Sequence, residues 1–189
     1  MRLKHLALGL VLTVLAAVPV SAQTFDFGLE AGANFSNFLG NDASSPGALN
    51  GYKLGFVGGA FLSLNIGNVI AIRPEILYEQ KGVQYTGTSS TTELDYVEVP
   101  ILLKLSLGLP LVNPAIILGP SFAWNTVAQS GGNDLSGVNT SDVGLVGGLE
   151  FDISKFFISG RYELGLDNVT TGKNIQNGTI TVLMGYSFF

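Results

Sequence analysis

Through the body of this chain the ionisable residues fall at every second position. Arg73, Glu75, Glu79 and Lys81 share one parity, as do Asp26 and Glu30, Glu98 and Lys104, Glu150 and Asp152, and Arg161 and Glu163; Lys53 stands alone in its segment. Carboxylates interleaved with Arg and Lys can pair as ions, line a path for ions, or act as an acid and base. Nucleophilic chemistry is poorly served. The chain has no cysteine, and its one histidine, His5, lies in the N-terminal segment. Without His or Cys in the body there is no Ser-His-Asp or Cys-His arrangement and no ordinary zinc site. Catalytic residues, cofactor and metal are all expected to be none.

The elements that carry these charges read as strands. From Phe25 to Phe35 the odd positions are Phe25, Phe27, Leu29, Ala31, Ala33 and Phe35, while the even ones are Asp26, Gly28, Glu30, Gly32 and Asn34. Period-two alternation belongs to a strand with one apolar and one polar face. It recurs in about eight segments: 24–37, 52–64, 69–81, 94–107, 114–126, 142–153, 156–166 and 179 to the end. Pro74, Pro100 and Pro120 fall inside three of them, where a missing N–H weakens a ladder. Each is expected to mark a bulge or a misplaced boundary.

Composition narrows the class. Charged residues are 12% of the 189 and apolar residues 47%, with mean hydropathy +0.41; ordinary soluble domains carry roughly 25% charge. Such a chain has too few charges to solvate an outer wall. Yet beyond the N-terminus no run of about 18 apolar residues offers a helical span. Glycines gather on the polar face, as a crowded interior requires. Short connections (66–68, 108–113, 154–155) alternate with long Gly/Ser/Asn/Thr-rich ones (38–51, 82–93, 127–141, 168–178), matching periplasmic turns and extracellular loops. The expectation is an all-β, closed, antiparallel up-and-down transmembrane β-barrel in a bacterial outer membrane, with both termini periplasmic.

Aromatic positions supply a separate test. In that topology Phe25, Phe27, Phe151, Phe156, Tyr186 and Phe188 fall at the periplasmic end. Phe35, Tyr52, Tyr78, Trp124 and Tyr162 fall toward the outer end, so two girdles are expected. Phe25 to Phe35 spans roughly 25 Å vertically at ~40° tilt, close to a barrel's apolar band.

The N-terminus reads as a cleaved signal peptide over residues 1–22: Arg2, Lys4 and His5, then an apolar stretch from Leu6 to Val18, then Val20-Ser21-Ala22. The barrel domain is then 23–189, and losing Arg2 and Lys4 makes the net charge of −5 more negative still. Nucleic acid is not an expected partner. Asn139-Thr140-Ser141, Asn168-Val169-Thr170 and Asn177-Gly178-Thr179 match glycosylation sequons but read as turn chemistry. Asp134, Asp142 and Asp167 match no calcium-loop spacing.

On the polar face, Lys53, Arg73, Glu75, Glu79, Lys81, Glu98, Lys104, Glu150, Arg161 and Glu163, with Asp26, Glu30 and Asp152, would line the lumen. Three outcomes stay open: a plug of paired charges, a narrow cation-preferring pore, or a catalytic carboxylate pair.

Several motifs in order resemble the PorT-like outer-membrane β-barrel family of Bacteroidetes-type bacteria. These are Gly32-Ala33-Asn34-Phe35-Ser36 with Phe38, Gly55-Phe56-Val57-Gly58-Gly59, Pro74-Glu75-Ile76-Leu77-Tyr78 with Lys81-Gly82, Tyr96-Val97-Glu98-Val99-Pro100 with Leu103-Lys104, Gly119-Pro120, and Arg161-Tyr162 with Gly165-Leu166. The resemblance implies an integral, porin-like outer-membrane barrel, with a secretion link in a founding member. It brings no catalytic residues. The expected role is a non-enzymatic surface or scaffold barrel whose outer loops meet a partner, with a narrow channel for small solutes or cations as the alternative. The expected partners are outer-membrane lipid, envelope or secretion proteins, and the outer-membrane insertion machinery. Tyr186-Ser187-Phe188 resembles the aromatic C-terminal signal which that machinery reads, with Phe189 one residue beyond.

Overall fold

The computed structural model describes residues 23–40, 50–85, 91–135, 137–169 and 175–188. The expected signal peptide, residues 1–22, lies outside the described residues. The strands are β1 (Gln23–Leu39), β2 (Asn50–Ile66), β3 (Ile70–Tyr85), β4 (Thr91–Ser106), β5 (Asn113–Ser130), β6 (Asn133–Asp134), β7 (Ser141–Ile153), β8 (Phe156–Gly165) and β9 (Gln176–Ser187). All pairings are antiparallel, in the order β4-β3-β2-β1-β9-β8-β7-β5, and the β4–β5 pairing closes the ring. Eight strands therefore form a closed up-and-down barrel, with the two-residue β6 appended to β5.

Side-chain alternation sorts the two rows as the sequence pattern requires. Along β3, Arg73, Glu75, Leu77, Glu79 and Lys81 are buried while Ile76 and Tyr78 are exposed. The exposed wall is apolar on every long strand, including Leu29, Leu54, Ile116, Leu149 and Met184.

The strands overrun their expected ends. Residues 82–85, 91–93 and 127–130, expected in loops, extend β3, β4 and β5. Gln129 and Ser130 then turn through Gly131 and Gly132, both at positive φ, to pair with β6. Strand β9 begins at Gln176, so Asn177 of the third sequon is a buried strand residue and not part of a turn. Polar Asn, Gln and Ser can continue a ladder beyond the apolar band because their backbone pairing needs no apolar neighbour.

The three prolines mark neither bulges nor strand ends. Pro74 pairs with Ile101, Pro100 with Ser121 and Pro120 with Leu145. Where Pro100 faces Glu75, and Pro120 faces Ile101, the rungs are interrupted and the ladder resumes in the same register. The register shifts lie elsewhere, between Tyr52 and Val57 on β2 and beside Asp95. At the second, Thr126 is the extra residue, and its hydroxyl and the Asn125 side-chain amide both donate to the Asp95 carbonyl, at 3.1 and 3.3 Å. A local polar contact thus compensates the misaligned rung.

Interior crowding explains two glycines. A Cβ at Gly185 would run into the Phe157 ring, and one at Gly28 into the Phe61 ring and the Tyr186 carbonyl. Gly160 meets nothing within 4 Å. Gly185→Val is expected to destabilise the barrel by about 1–3 kcal/mol through overpacking, while Gly160→Ala leaves stability nearly unchanged. Urea unfolding of detergent-refolded protein, followed by the heat-dependent shift in gel migration, measures both.

Candidate functional site

The charged rows converge inside the barrel in two groups. The lower group, nearer the short turns, is built on the guanidinium of Arg73 on β3. It donates through Nε to Glu75 at 2.9 Å and grips both oxygens of Glu150 on β7. Lys104 on β4 reaches Glu150 at 2.7 Å and Asp152 at 2.6 Å. From the far wall, Arg161 on β8 holds Glu75 at 2.6 Å and Glu30 at 3.2 Å, and donates to the Ser159 hydroxyl at 3.0 Å. Arg73 also lies over Phe157 and Phe61, 4.8 and 5.4 Å from the ring centroids. Those rings meet edge-on at 5.4 Å.

The upper group centres on Lys81. Its ammonium contacts Glu98 at 2.6 Å, Glu79 at 3.2 Å and Glu163. Ser121 donates to Glu163 at 3.4 Å, and the Tyr96 ring lies 5.7 Å from the ammonium. Asn177 donates to Asp142 at 3.1 Å and to the Tyr96 hydroxyl at 3.4 Å. Above it, Leu94, Tyr96, Ala123 and Val169 pack together with Phe38, Val138 and Ile175, so an apolar cap lies between this group and the long loops.

Nine of the ten lumen charges expected from sequence thus fall into these two groups. Lys53 stands apart, its ammonium donating to the Lys81 carbonyl at 3.1 Å. Asp26 lies lower, accepting from Asn65 at 2.7 Å. It lines a cavity of about 590 Å³ at the short-turn end whose inner wall includes Arg73, Lys104, Asp152 and Phe157.

Period-two reading had passed over the apolar members of the inward rows. Leu77 separates the charge pairs of β3, and Leu102 stands between Glu98 and Lys104 on β4. With Val57 and Leu183 on one wall, and Ile117 and Val146 on the other, they form two dry clusters. Their parity was the available signal, because each sits in step with the charges.

All eleven girdle aromatics point outward, from 37% exposed for Tyr186 to 57% for Phe156. At the short-turn end Phe27 meets Phe188 (5.1 Å between centroids), Phe188 meets Tyr186 (5.6 Å) and Tyr186 meets Phe156 (4.9 Å). Phe25 and Phe151 flank them, opposite Leu64 and Ile158. Toward the other end, Phe35 and Tyr162 share a rung through Ile180, and Tyr78 and Trp124 share one through Val97. Tyr52 is opposite Val83. The Tyr78 hydroxyl donates to Asp95.

A closed eight-stranded barrel with an apolar outer wall and a charged interior has a known home. The family model described as "Outer membrane protein beta-barrel domain" matches residues 21–171. The chain belongs to this family. It is therefore a bacterial outer-membrane barrel, and its outward row faces lipid. Among solved structures it is similar to Neisserial surface protein A (16% identity, 86% of this chain and 97% of that one, TM-score 0.55). It is also similar to Ail of Yersinia pestis (15%, 87% and 99%, 0.51) and to OprG from Pseudomonas aeruginosa (14%, 88% and 97%, 0.51). At such identities the likeness is one of fold. No curated protein sequence matches.

In the membrane, the interior groups act as cross-struts between opposite walls. Removing one partner of a buried pair strands the other charge, which costs about 3–5 kcal/mol. Arg73→Met is expected to lose stability of that order, because Glu150 and Glu75 lose their shared cation. Adding Glu150→Gln to it recovers part of the loss. Urea midpoints of the single and double variants in lipid vesicles check both.

Proposed function

We propose that the barrel is a non-enzymatic outer-membrane protein with a closed lumen, acting through its long loops on a partner or ligand outside the cell. The observation that carries this is the burial of the inward rows. Glu150 is 0% exposed, and Arg73, Lys81 and Glu98 are 1% exposed, which supports a lumen without a water-filled path past the charge groups. A closed interior also has little space for substrate, and Glu30, Glu75, Glu79, Glu98, Glu150, Asp152 and Glu163 each lie against a cation. In this reading residues 1–22 are removed on export and both ends of the mature chain stay in the periplasm. Support comes from the described chain ends, which share one end of the barrel with the short turns. The insertion machinery reads strand β9 with its terminal aromatics.

The resemblance to PorT-like barrels supports an envelope or secretion protein as partner. Charge argues against a polyanion. Among the described residues, the exposed charges at the long-loop end are Glu93 and Asp134, both acidic. The heparin analogue held in the Ail structure is thus a poor guide to this chain's ligand. Planar-bilayer recordings of the refolded protein test the closed lumen. A silent membrane is expected, and discrete cation-selective steps would overturn it in favour of a narrow channel.

A further inference from the structure

The lipid-facing wall is not smooth. Gly58, Ala31 and Met184 share a rung across β2, β1 and β9, and two of the three are among the smallest residues. Large side chains surround them. Phe56 stands toward the long loops, and Tyr186 and Phe156 stand toward the short turns with their rings 4.9 Å apart. Between these lies a groove of about 450 Å³, lined by Leu29, Ala31, Phe56, Gly58, Phe156 and Met184 among others. Ala31 and Gly58 form its floor. A Cβ at Gly58 would meet the end of the Phe56 ring at 2.8 Å, so glycine is what lets that ring lie down along β2.

A second, independent observation lies at the short-turn end of this groove. Lys155, in the turn just before Phe156, is the only exposed Lys or Arg among the described residues. Its carbonyl accepts from the Ser187 amide at 2.8 Å, and its ammonium donates to the Phe188 carbonyl at 3.2 Å. The turn is thus pinned to the end of β9. Its cation is held at the edge of the aromatic row, Phe156, Tyr186 and Phe188, that closes the groove. An ammonium has three N–H groups, and this bond uses one.

We infer that the groove holds one acyl chain of a single phospholipid, from the leaflet at the short-turn end, with its phosphate at Lys155. The groove is continuous with the row that faces lipid, so the bilayer itself is what reaches it. Its walls stand above the floor, with Phe56, Phe156 and Met184 52%, 57% and 61% exposed. The wall of a second barrel cannot pass them to reach Ala31 and Gly58, whereas one slender chain can. The headgroup end of that chain meets the aromatic row, where the membrane interface lies. There Lys155 supplies the charge that complements a phosphate. A chain seated between walls and tethered by its headgroup is retained, while lipids along a smooth wall exchange.

The test uses the full barrel refolded in a mild detergent and titrated with phosphatidylglycerol, or with diacylglycerol of the same chains. Native mass spectrometry counts the lipid bound, and the heat-dependent gel shift confirms that each variant is folded. Wild type is expected to bind one phosphatidylglycerol per chain, and diacylglycerol about fivefold more weakly, the worth of one basic residue beside an anionic headgroup. Lys155→Gln binds the two equally. Ala31→Leu, which fills the floor from an exposed position, loses both lipids several-fold. Gly160→Leu, on the outward row of β8 but outside the groove, binds as wild type does. No lipid on wild type, equal binding by wild type and Ala31→Leu, or an equal loss in Gly160→Leu overturns the groove. Equal affinity of wild type for the two lipids overturns the phosphate contact at Lys155. Paired barrels without lipid, separated by Ala31→Leu, would assign the groove to a second copy and overturn the lipid.

Discussion

In hydrocarbon, no water can satisfy a free backbone N–H or carbonyl, so a sheet that crosses a membrane must close on itself. That constraint sets the rest of this molecule. Closure with eight strands gives an interior only as wide as the side chains that fill it. Period-two geometry then sends every second residue into that space, whatever its chemistry. Because the other row must face lipid and be apolar, the charges of the barrel can go only inward. Once inward they must find one another.

The pairing geometry follows from which strands face across the bore. Arg73 on β3 reaches Glu150 on β7, and Arg161 on β8 reaches Glu75 on β3. These contacts join walls that are not neighbours in the sheet, so they brace the cross-section where backbone hydrogen bonds cannot. Their net contribution to stability need not be large, because desolvation offsets most of the attraction. Their effect on register is severe. A slip of one residue along β3 would place Arg73, Glu75, Glu79 and Lys81 in lipid and pull Ile76 and Tyr78 inside. The interior charges therefore discriminate against misfolded pairings more than they deepen the native state.

Much of this was legible in the sequence because the membrane imposes one simple rule. The parity of Asp26 to Asn34 against Phe25 to Phe35 is a direct print of inside and outside, and an even strand count puts both chain ends beside the short turns. Strand ends were less legible. Beyond the apolar band, residues such as Gln84 and Gln129 continue the ladder without hydrophobic alternation to mark them. Proline misled because its loss of one N–H was weighed locally. The rungs on either side hold the register at Pro100 and Pro120, and the extra residues appear instead near Lys53 and at Thr126. Within the site, parity identified the charges but not their partners. Which wall faces which depends on the stagger of the closed sheet, a property of the whole ring. The apolar Leu77 and Leu102 were in plain view and escaped because an inward row was assumed to be polar.

The central claim is that the interior is packed and dry at the height of the charge groups. The chain contains no cysteine, so a single introduced thiol can report on it. Ser121 and Ser159 are both 0% exposed on the inward face, whereas Leu111 is 91% exposed in a short turn. With Ser121→Cys and Ser159→Cys in folded barrels in lipid vesicles, a charged methanethiosulfonate reagent should fail to modify either thiol. Leu111→Cys should label readily under the same conditions, and all three should label after denaturation. Prompt labelling of both interior thiols in the folded barrel would contradict the account, because it would require a water-filled lumen past Glu163 and Arg161.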